Sequence, residues 1–202
     1  LTGGAGDDAI TGGAAADIIS GGAGNDTLTL TNASTTSAKD TITGGAGNDT
    51  FFSSDANLDA AHVLNGGSGT DTLKIDDLSV IADAQLENKT SIEVLTSDAT
   101  GLSATLDDYA QAMGLTTITF AGSGAINGVA DAVVIQDGVT NAIGVTIDAL
   151  VDSGSGNADD GNTVDASAYT GTLTITTAAA TAIRGTNGNA ATTEVVLTGG
   201  TG

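Results

Sequence analysis

Large apolar residues recur at fixed places in the first 75 positions. Ile10, Leu28, Phe51 and Leu73 each stand two residues after an aspartate, and each aspartate closes a short glycine-rich stretch. The segments GGAGDDAIT (3–11), GGAGNDTLT (21–29), GGAGNDTFF (44–52) and GGSGTDTLK (66–74) follow one nine-residue template, G-G-x-G-x-D-x-U-x, in which U is large and apolar. A fifth segment, GGAAADIIS (12–20), keeps Asp17 and Ile19 but has Ala15 at the third glycine. One apolar residue flanked by two polar ones is the pattern of a three-residue strand with a single inward side chain. Each nonapeptide then predicts one turn and one short strand, and two nonapeptides predict a full 18-residue coil of a parallel β-roll.

The register follows from the spacing. Asp8 and Asp26 are 18 residues apart, Asp26 and Asp49 are 23 apart, and Asp49 and Asp71 are 22 apart. Placing the extra residues on the opposite side of the roll keeps Asp8, Asp26, Asp49 and Asp71 in one column. The opposite side then carries Asp17 before Ile19, Asp40 before Ile42, and His62 before Leu64.

The letters of the turn also state a chemistry. Glycines at positions one, two and four leave carbonyl oxygens without a Cβ in front of them, and the aspartate at position six adds an anionic oxygen. Hard divalent cations take such an all-oxygen set, and calcium is the expected ion. Successive coils lie about 4.8 Å apart, so neighbouring carboxylates repel by roughly 1 kcal/mol per pair even in water. A cation between them reverses that sign, which makes metal binding and closure of the roll one equilibrium.

These repeats resemble those of the RTX (repeats-in-toxin) family of bacterial secreted proteins over residues 1 to about 75. The resemblance implies export of an unfolded chain by type I secretion and folding in extracellular calcium. Carried over by motif position, the ligands are the carbonyls of the second and fourth residues with the aspartate: Gly4, Gly6 and Asp8; Gly22, Gly24 and Asp26; Gly45, Gly47 and Asp49; Gly67, Gly69 and Asp71. Asp17 and Asp40 are the corresponding metal candidates of the second side, where the missing glycines at Ala15 and around His62 predict poor binding or none.

Composition supports a chain that needs such an ion. Leu, Ile, Val and Phe together make about 22% of the 202 residues, while 25 acidic residues face only Lys39, Lys74, Lys89 and Arg184, for a net charge of −21. That charge opposes compaction. It also removes the basic surface that nucleic acid or an anionic membrane requires. No apolar run is long enough to span a bilayer, and Leu1-Thr2-Gly3-Gly4 lacks the features of a signal peptide, so the sequence reads as an internal fragment. With no cysteine there are no disulfides to staple a thin core.

Residues 76–202 predict a different texture. Apolar clusters SIEVL (91–95), TTITF (116–120), AVVIQ (132–136), GVTID (144–148), GTLTIT (171–176) and EVVLT (194–198) read as strands, and their arrangement as solenoid or sandwich is left open. TLDDYAQAMG (105–114) reads as a short helix with Thr105 as N-cap and Gly114 as C-cap, and IADAQLEN (81–88) as a second possible helix. DASAYTGTLTITT (165–177) is similar in composition to Thr/Ala-rich segments beside such repeats in S-layer proteins and large adhesins. RGTNGNA (184–190) reads as a decayed turn, and LTGGTG (197–202) repeats the opening LTGGAG. The fold expectation is therefore all-β: a parallel β-roll over 1–75, followed by a β-rich section over 76–202 with at most one or two short helices.

Other chemistry finds little support. A single histidine rules out an HExxH zinc site, there is no cysteine nucleophile and no GxSxG elbow, and the pair Asp7-Asp8 belongs to a repeat turn rather than to a glycosidase dyad. His62 reads as a surface or turn-filling residue ahead of a metal ligand. The acidic stretch 152–162, with Asp152, Asp159 and Asp160, reads as a solvated loop ahead of a further calcium loop. The expected function is a structural, non-enzymatic, calcium-dependent extracellular module of a bacterial S-layer or similar surface assembly, with self-association into a lattice or a place in a longer parent chain. The alternative is the repeat region of a secreted adhesin, toxin or enzyme whose activity lies elsewhere in the parent.

Overall fold

In the computed structural model, residues 1–31, 38–54, 57–76, 80–97, 103–120, 132–147, 163–166, 168–177 and 196–199 are described. The chain winds as a solenoid of parallel strands. Strands β1 (Thr2–Ala5), β3 (Ile18–Ala23), β5 (Thr41–Ala46), β7 (Val63–Ser68) and β10 (Lys89–Thr90) stack in one sheet. Strands β2 (Ala9–Thr11), β4 (Thr27–Thr29), β6 (Thr50–Ser53) and β8 (Thr72–Ile75) stack in a second, and they alternate with the first along the chain. Each coil thus contributes one strand to either side, as the 18-residue period requires.

The second sheet does not stop where the nonapeptides stop. It continues through β11 (Val94–Ser97), β13 (Thr117–Phe120), β15 (Ile143–Ile147) and β17 (Leu173–Thr177), giving eight parallel strands. Its register aligns Ile10, Leu28, Phe51, Leu73, Leu95, Ile118, Val145 and Ile175 in one apolar file. Six of the eight are fully buried, and Ile10 and Ile175 pack partly buried against them. The described strands after residue 76 therefore stack as in the solenoid alternative. Opposite this sheet the first gives way to a third, of β9 (Val80–Ile81), β12 (Ser103–Leu106), β14 (Ala132–Ile135), β16 (Thr163–Ala166) and β18 (Val196–Gly199).

The strand clusters read from sequence fall on β11, β13, β14, β15, β17 and β18, shifted by up to a few residues. The helix α1 spans Asp108–Met113 and ends at Gly114, whose left-handed φ of 97° lets its N–H reach the carbonyls of Ala110 and Gln111. Thr105 is not its N-cap, because Thr105 lies within β12. The backbone N–H groups of Asp107, Tyr109 and Ala110 are instead satisfied by the carboxylate of Asp83, from the short 3-10 helix Asp83–Leu86. A carboxylate from another coil thus replaces a local cap. Segments 152–162 and 184–190 lie outside the described residues. Among the described residues no helix is long and apolar enough to cross a membrane.

Candidate calcium column

The four aspartates of the first column each sit at the end of a turn, directly before β2, β4, β6 and β8. Each is used twice. The N–H of Asp8 donates to Oδ1 of Asp26, that of Asp26 to Oδ1 of Asp49, and that of Asp49 to Oδ1 of Asp71, all at 2.8 Å. The remaining oxygen, Oδ2, of Asp8, Asp26, Asp49 and Asp71 is buried and has no hydrogen-bond partner. Asp26, Asp49 and Asp71 are at most 1% exposed. Four unpaired carboxylate oxygens inside a fold are costly, because each anionic group loses its water without compensation.

The backbone around them shows which oxygens remain to meet a cation. The carbonyls of Asp8, Asp26 and Asp49 accept from the N–H groups of Thr27, Thr50 and Thr72, each at 2.8 Å. The third-position carbonyls of Ala23, Ala46 and Ser68 accept from Gly6, Gly24 and Gly47. The first glycine of each turn, however, is passed over in the ladder register, where Ser20 pairs with Thr43 and Gly22 with Gly45. The same omission recurs in the neighbouring pairs.

At these omitted positions a cradle opens. A Cβ added to Gly3 would meet Asp8 Oδ2 and the carbonyl of Gly21. One on Gly21 would meet Asp26 Oδ2 and the carbonyl of Gly44, and one on Gly44 would meet Asp49 Oδ2 and the carbonyl of Gly66. The missing side chain therefore leaves an orphaned carboxylate oxygen and a carbonyl of the following turn together. An all-oxygen set of this kind suits calcium. Among the described residues no three acidic or histidine side chains converge on one point, so the donor set is weighted toward backbone carbonyls.

The second and fourth glycines serve the stacking. Gly22 and Gly24 have φ of 122° and 128°, a region side chains rarely adopt, and each lies against the backbone of Gly4 and Gly6 one coil earlier. Sequence reasoning placed the ligating carbonyls at the second and fourth positions. The first-position carbonyls of Gly21, Gly44 and Gly66, which it did not single out, are the ones that stand beside the orphaned Oδ2 atoms. The signal that marks them is the invariable first glycine, explained by the cradle rather than by φ.

Electrostatics agrees with this geometry. Burial pushes the carboxyl of Asp49 above its ordinary value, and the neighbouring charge of Asp26 adds to the rise. Burial raises Asp71 likewise, with Asp49 and Glu93 as like charges. Position five adds a second ladder of opposite sense. The N–H of Asn25 donates to Asp7 Oδ1, that of Asn48 to Asn25 Oδ1 and that of Thr70 to Asn48 Oδ1.

On the other side of the roll the carboxylates are engaged differently, and among the described residues the buried atom without a partner there is Nε2 of His62. Asp17 Oδ2 accepts from the N–H of Gly13 at 2.6 Å, and the N–H of Asp17 donates to Asp40 Oδ1 at 2.9 Å. The next rung is His62, whose Nδ1 accepts from the N–H of Asp40 at 3.0 Å. His62 is fully buried, which corrects the surface alternative and leaves the turn-filling one. Nδ1 as acceptor puts the ring proton on Nε2, and burial holds the imidazole below its ordinary pKa, in the neutral form the ladder uses.

Sequence reasoning also missed Lys89. The register Ile19, Ile42, Leu64, Lys89 puts a lysine in the apolar file of the first sheet. Its Nζ has its three donors satisfied by carbonyls, those of Asp59 at 2.5 Å, His62 at 2.9 Å and Glu87 at 3.0 Å.

The family model of the RTX calcium-binding nonapeptide repeat (4 copies) matches residues 1–28 and 34–57, about a quarter of the chain. No curated protein and no solved structure matches the chain. The repeat 66–74 continues the matched geometry by one further coil. The N-terminal part of this chain is a run of RTX nonapeptide repeats, the ion such repeats bind is calcium, and their kind occurs in secreted proteins.

Proposed function

We propose that this chain is a structural extracellular module that folds on calcium, with residues 1–75 as its calcium-responsive roll and residues 76–202 as a β section built on it. The observation that carries this reading is the set of buried, partnerless Oδ2 atoms of Asp8, Asp26, Asp49 and Asp71. Gly22, Gly24, Gly45, Gly47, Gly67 and Gly69 let each coil approach the one before it closely enough to align that column, and Gly4 and Gly6 begin the same file with positive φ. The three gaps between its four turns are the calcium positions. Asp17 Oδ2 is taken by the N–H of Gly13 and Asp40 Oδ1 by the N–H of Asp17, and we read their side of the roll as one that binds calcium poorly or not at all.

In the cytosol, where calcium is scarce, a net charge of −21 and the stacked carboxylates keep the chain open. Outside the cell, calcium bridges successive turns, and its binding free energy becomes folding free energy. Circular dichroism of the metal-stripped chain at neutral pH, then with millimolar calcium, tests this. A gain of β signal with calcium is expected, and a spectrum already β-rich without metal would sink the coupled folding.

We further read the module as part of a bacterial S-layer or similar surface assembly. Support comes from the single eight-stranded sheet running from β2 to β17, a rod-like scaffold suited to a building block. Ordered arrays on cells that dissolve in chelator are the expected result, and a protein that stays monomeric with calcium under all conditions argues against it.

A further inference from the structure

The column of turns has a fifth rung that carries no nonapeptide. The N–H of Asp71 donates to Oε2 of Glu93 at 2.8 Å, the same bond that each aspartate N–H above it makes to the next carboxylate. Val94, directly after Glu93, pairs with Thr72, directly after Asp71, so Glu93 stands in register one coil below. On the first sheet Thr90 pairs with Asn65. Six residues, Gly66 to Asp71, make the turn in one coil, and three, Ser91 to Glu93, make it in the next.

This shortened turn supplies the same oxygens. A Cβ on Gly66 would meet Asp71 Oδ2 and the carbonyl of Ser91, just as one on Gly44 would meet Asp49 Oδ2 and the carbonyl of Gly66. Ser91 reaches this position with a φ of 53°, so a non-glycine residue takes a left-handed conformation where its carbonyl faces the cradle. Asp71 is fully buried and its Oδ2 is without a partner. Burial alone does not explain that arrangement, since the ordinary fate of a buried carboxylate is a donor on each oxygen.

We infer that the structure holds a fourth calcium position, between the Asp71 and Glu93 turns, in which Ser91 contributes its carbonyl and Glu93 the second carboxylate charge. It rests on the calcium reading proposed above and extends it past the repeats. The turn 91–93 is then the element that closes the column, directly before the coil continues into β11.

Native mass spectrometry of the full chain titrated with calcium, compared with Glu93→Gln, tests the assignment. Gln keeps an oxygen for the Asp71 N–H and removes only the charge. Four calcium ions on the wild type and three on the variant, or a fourth weakened at least tenfold with the others unchanged, are expected. Three ions on both chains, or four on both with unchanged affinity, overturn the fourth site and leave the three-gap reading standing. No calcium on either chain instead overturns the underlying calcium reading. Should the variant fail to fold, carbonyl carbon shifts in the wild type decide. The Ser91 carbonyl is expected to move with those of Gly21, Gly44 and Gly66 on calcium addition, and an unmoved Ser91 overturns the proposal.

Discussion

Asp26 donates its backbone N–H to Asp49 Oδ1 at 2.8 Å, and both residues hold their other carboxylate oxygen buried and unpaired. One oxygen therefore builds the stack while the other strains it, and the sign of the second effect depends on whether a cation is present.

Substituting Asp49 by Asn separates the two. The amide oxygen keeps the ladder bond, while the charge is gone. Without metal, Asp49→Asn should favour the folded roll by about 1 kcal/mol, because like-charge repulsion is relieved. In millimolar calcium it should destabilise by roughly 2 kcal/mol, through loss of a charged ligand. Urea unfolding with and without calcium measures both, and a change of the same sign in the two conditions rejects the cradle.

Position along the column matters as well. Asp26 faces two gaps, whereas Asp17 lies half-buried on the second side with Oδ2 satisfied by Gly13. Asp26→Ala should cost roughly 3 kcal/mol or more of calcium-loaded stability, and Asp17→Ala about 1 kcal/mol. Equal losses in thermal unfolding contradict the assignment of metal to one side.

Glycine substitutions provide a steric version of the test. A Cβ on Gly21 would collide with Asp26 Oδ2 and stand 2.7 Å from the carbonyl of Gly44, so Gly21→Ala should abolish calcium binding at that gap. At Gly13 the nearest atom is Asp17 Oδ2 at 3.7 Å, and Gly13→Ala should change stability by less than about 0.5 kcal/mol. Calcium titration calorimetry of the two variants distinguishes them.

The pH dependence of the metal-stripped chain follows from Asp49 and Asp71. Both carboxyls are raised in the fold by burial and by like charges, so the folded state binds protons more tightly than the unfolded state. Their favourable contribution is fully present below the ordinary carboxylate value and is lost as pH rises through the raised folded values. Acidification toward about pH 4 should therefore increase β structure without metal, and should release calcium from the loaded protein, since protons and cation compete for the same oxygens. Circular dichroism against pH on both forms reads the two opposite trends.

Lys89 carries the last expectation. Burial pushes its ammonium down to about 8, while the unfolded chain keeps the ordinary value, so the unfolded state binds more protons between those two values. Calcium-loaded stability should rise as pH increases through that window. Lys89→Met should remove the rise and cost about 1–3 kcal/mol at neutral pH, by leaving the carbonyls of Asp59, His62 and Glu87 unpaired. Unfolding at pH 7.5 and 9.5 makes the comparison.

The file from Ile10 to Leu73 and the alternation of Asp and second-side rungs were legible because a nine-residue period leaves one choice of face for each apolar residue. The insertions at 23 and 22 residues did not hide it, since Asp40 and His62 mark the opposite rungs. Glu93, Ser91 and Lys89 were not legible. Their turn is three residues shorter than a repeat turn, so no period points to them, and a lysine in an apolar file breaks the pattern used to find the file.

By itself the sequence determined the roll, its two faces and the acidic column, because turn chemistry and a single inward side chain per strand are local requirements repeated until no other register fits. Tertiary structure decided which carbonyl lies beside each Oδ2, how the second side satisfies its own carboxylates, and where the column ends. Those are relations between coils 18 to 25 residues apart, and only the stacking of one turn on the next brings their atoms together.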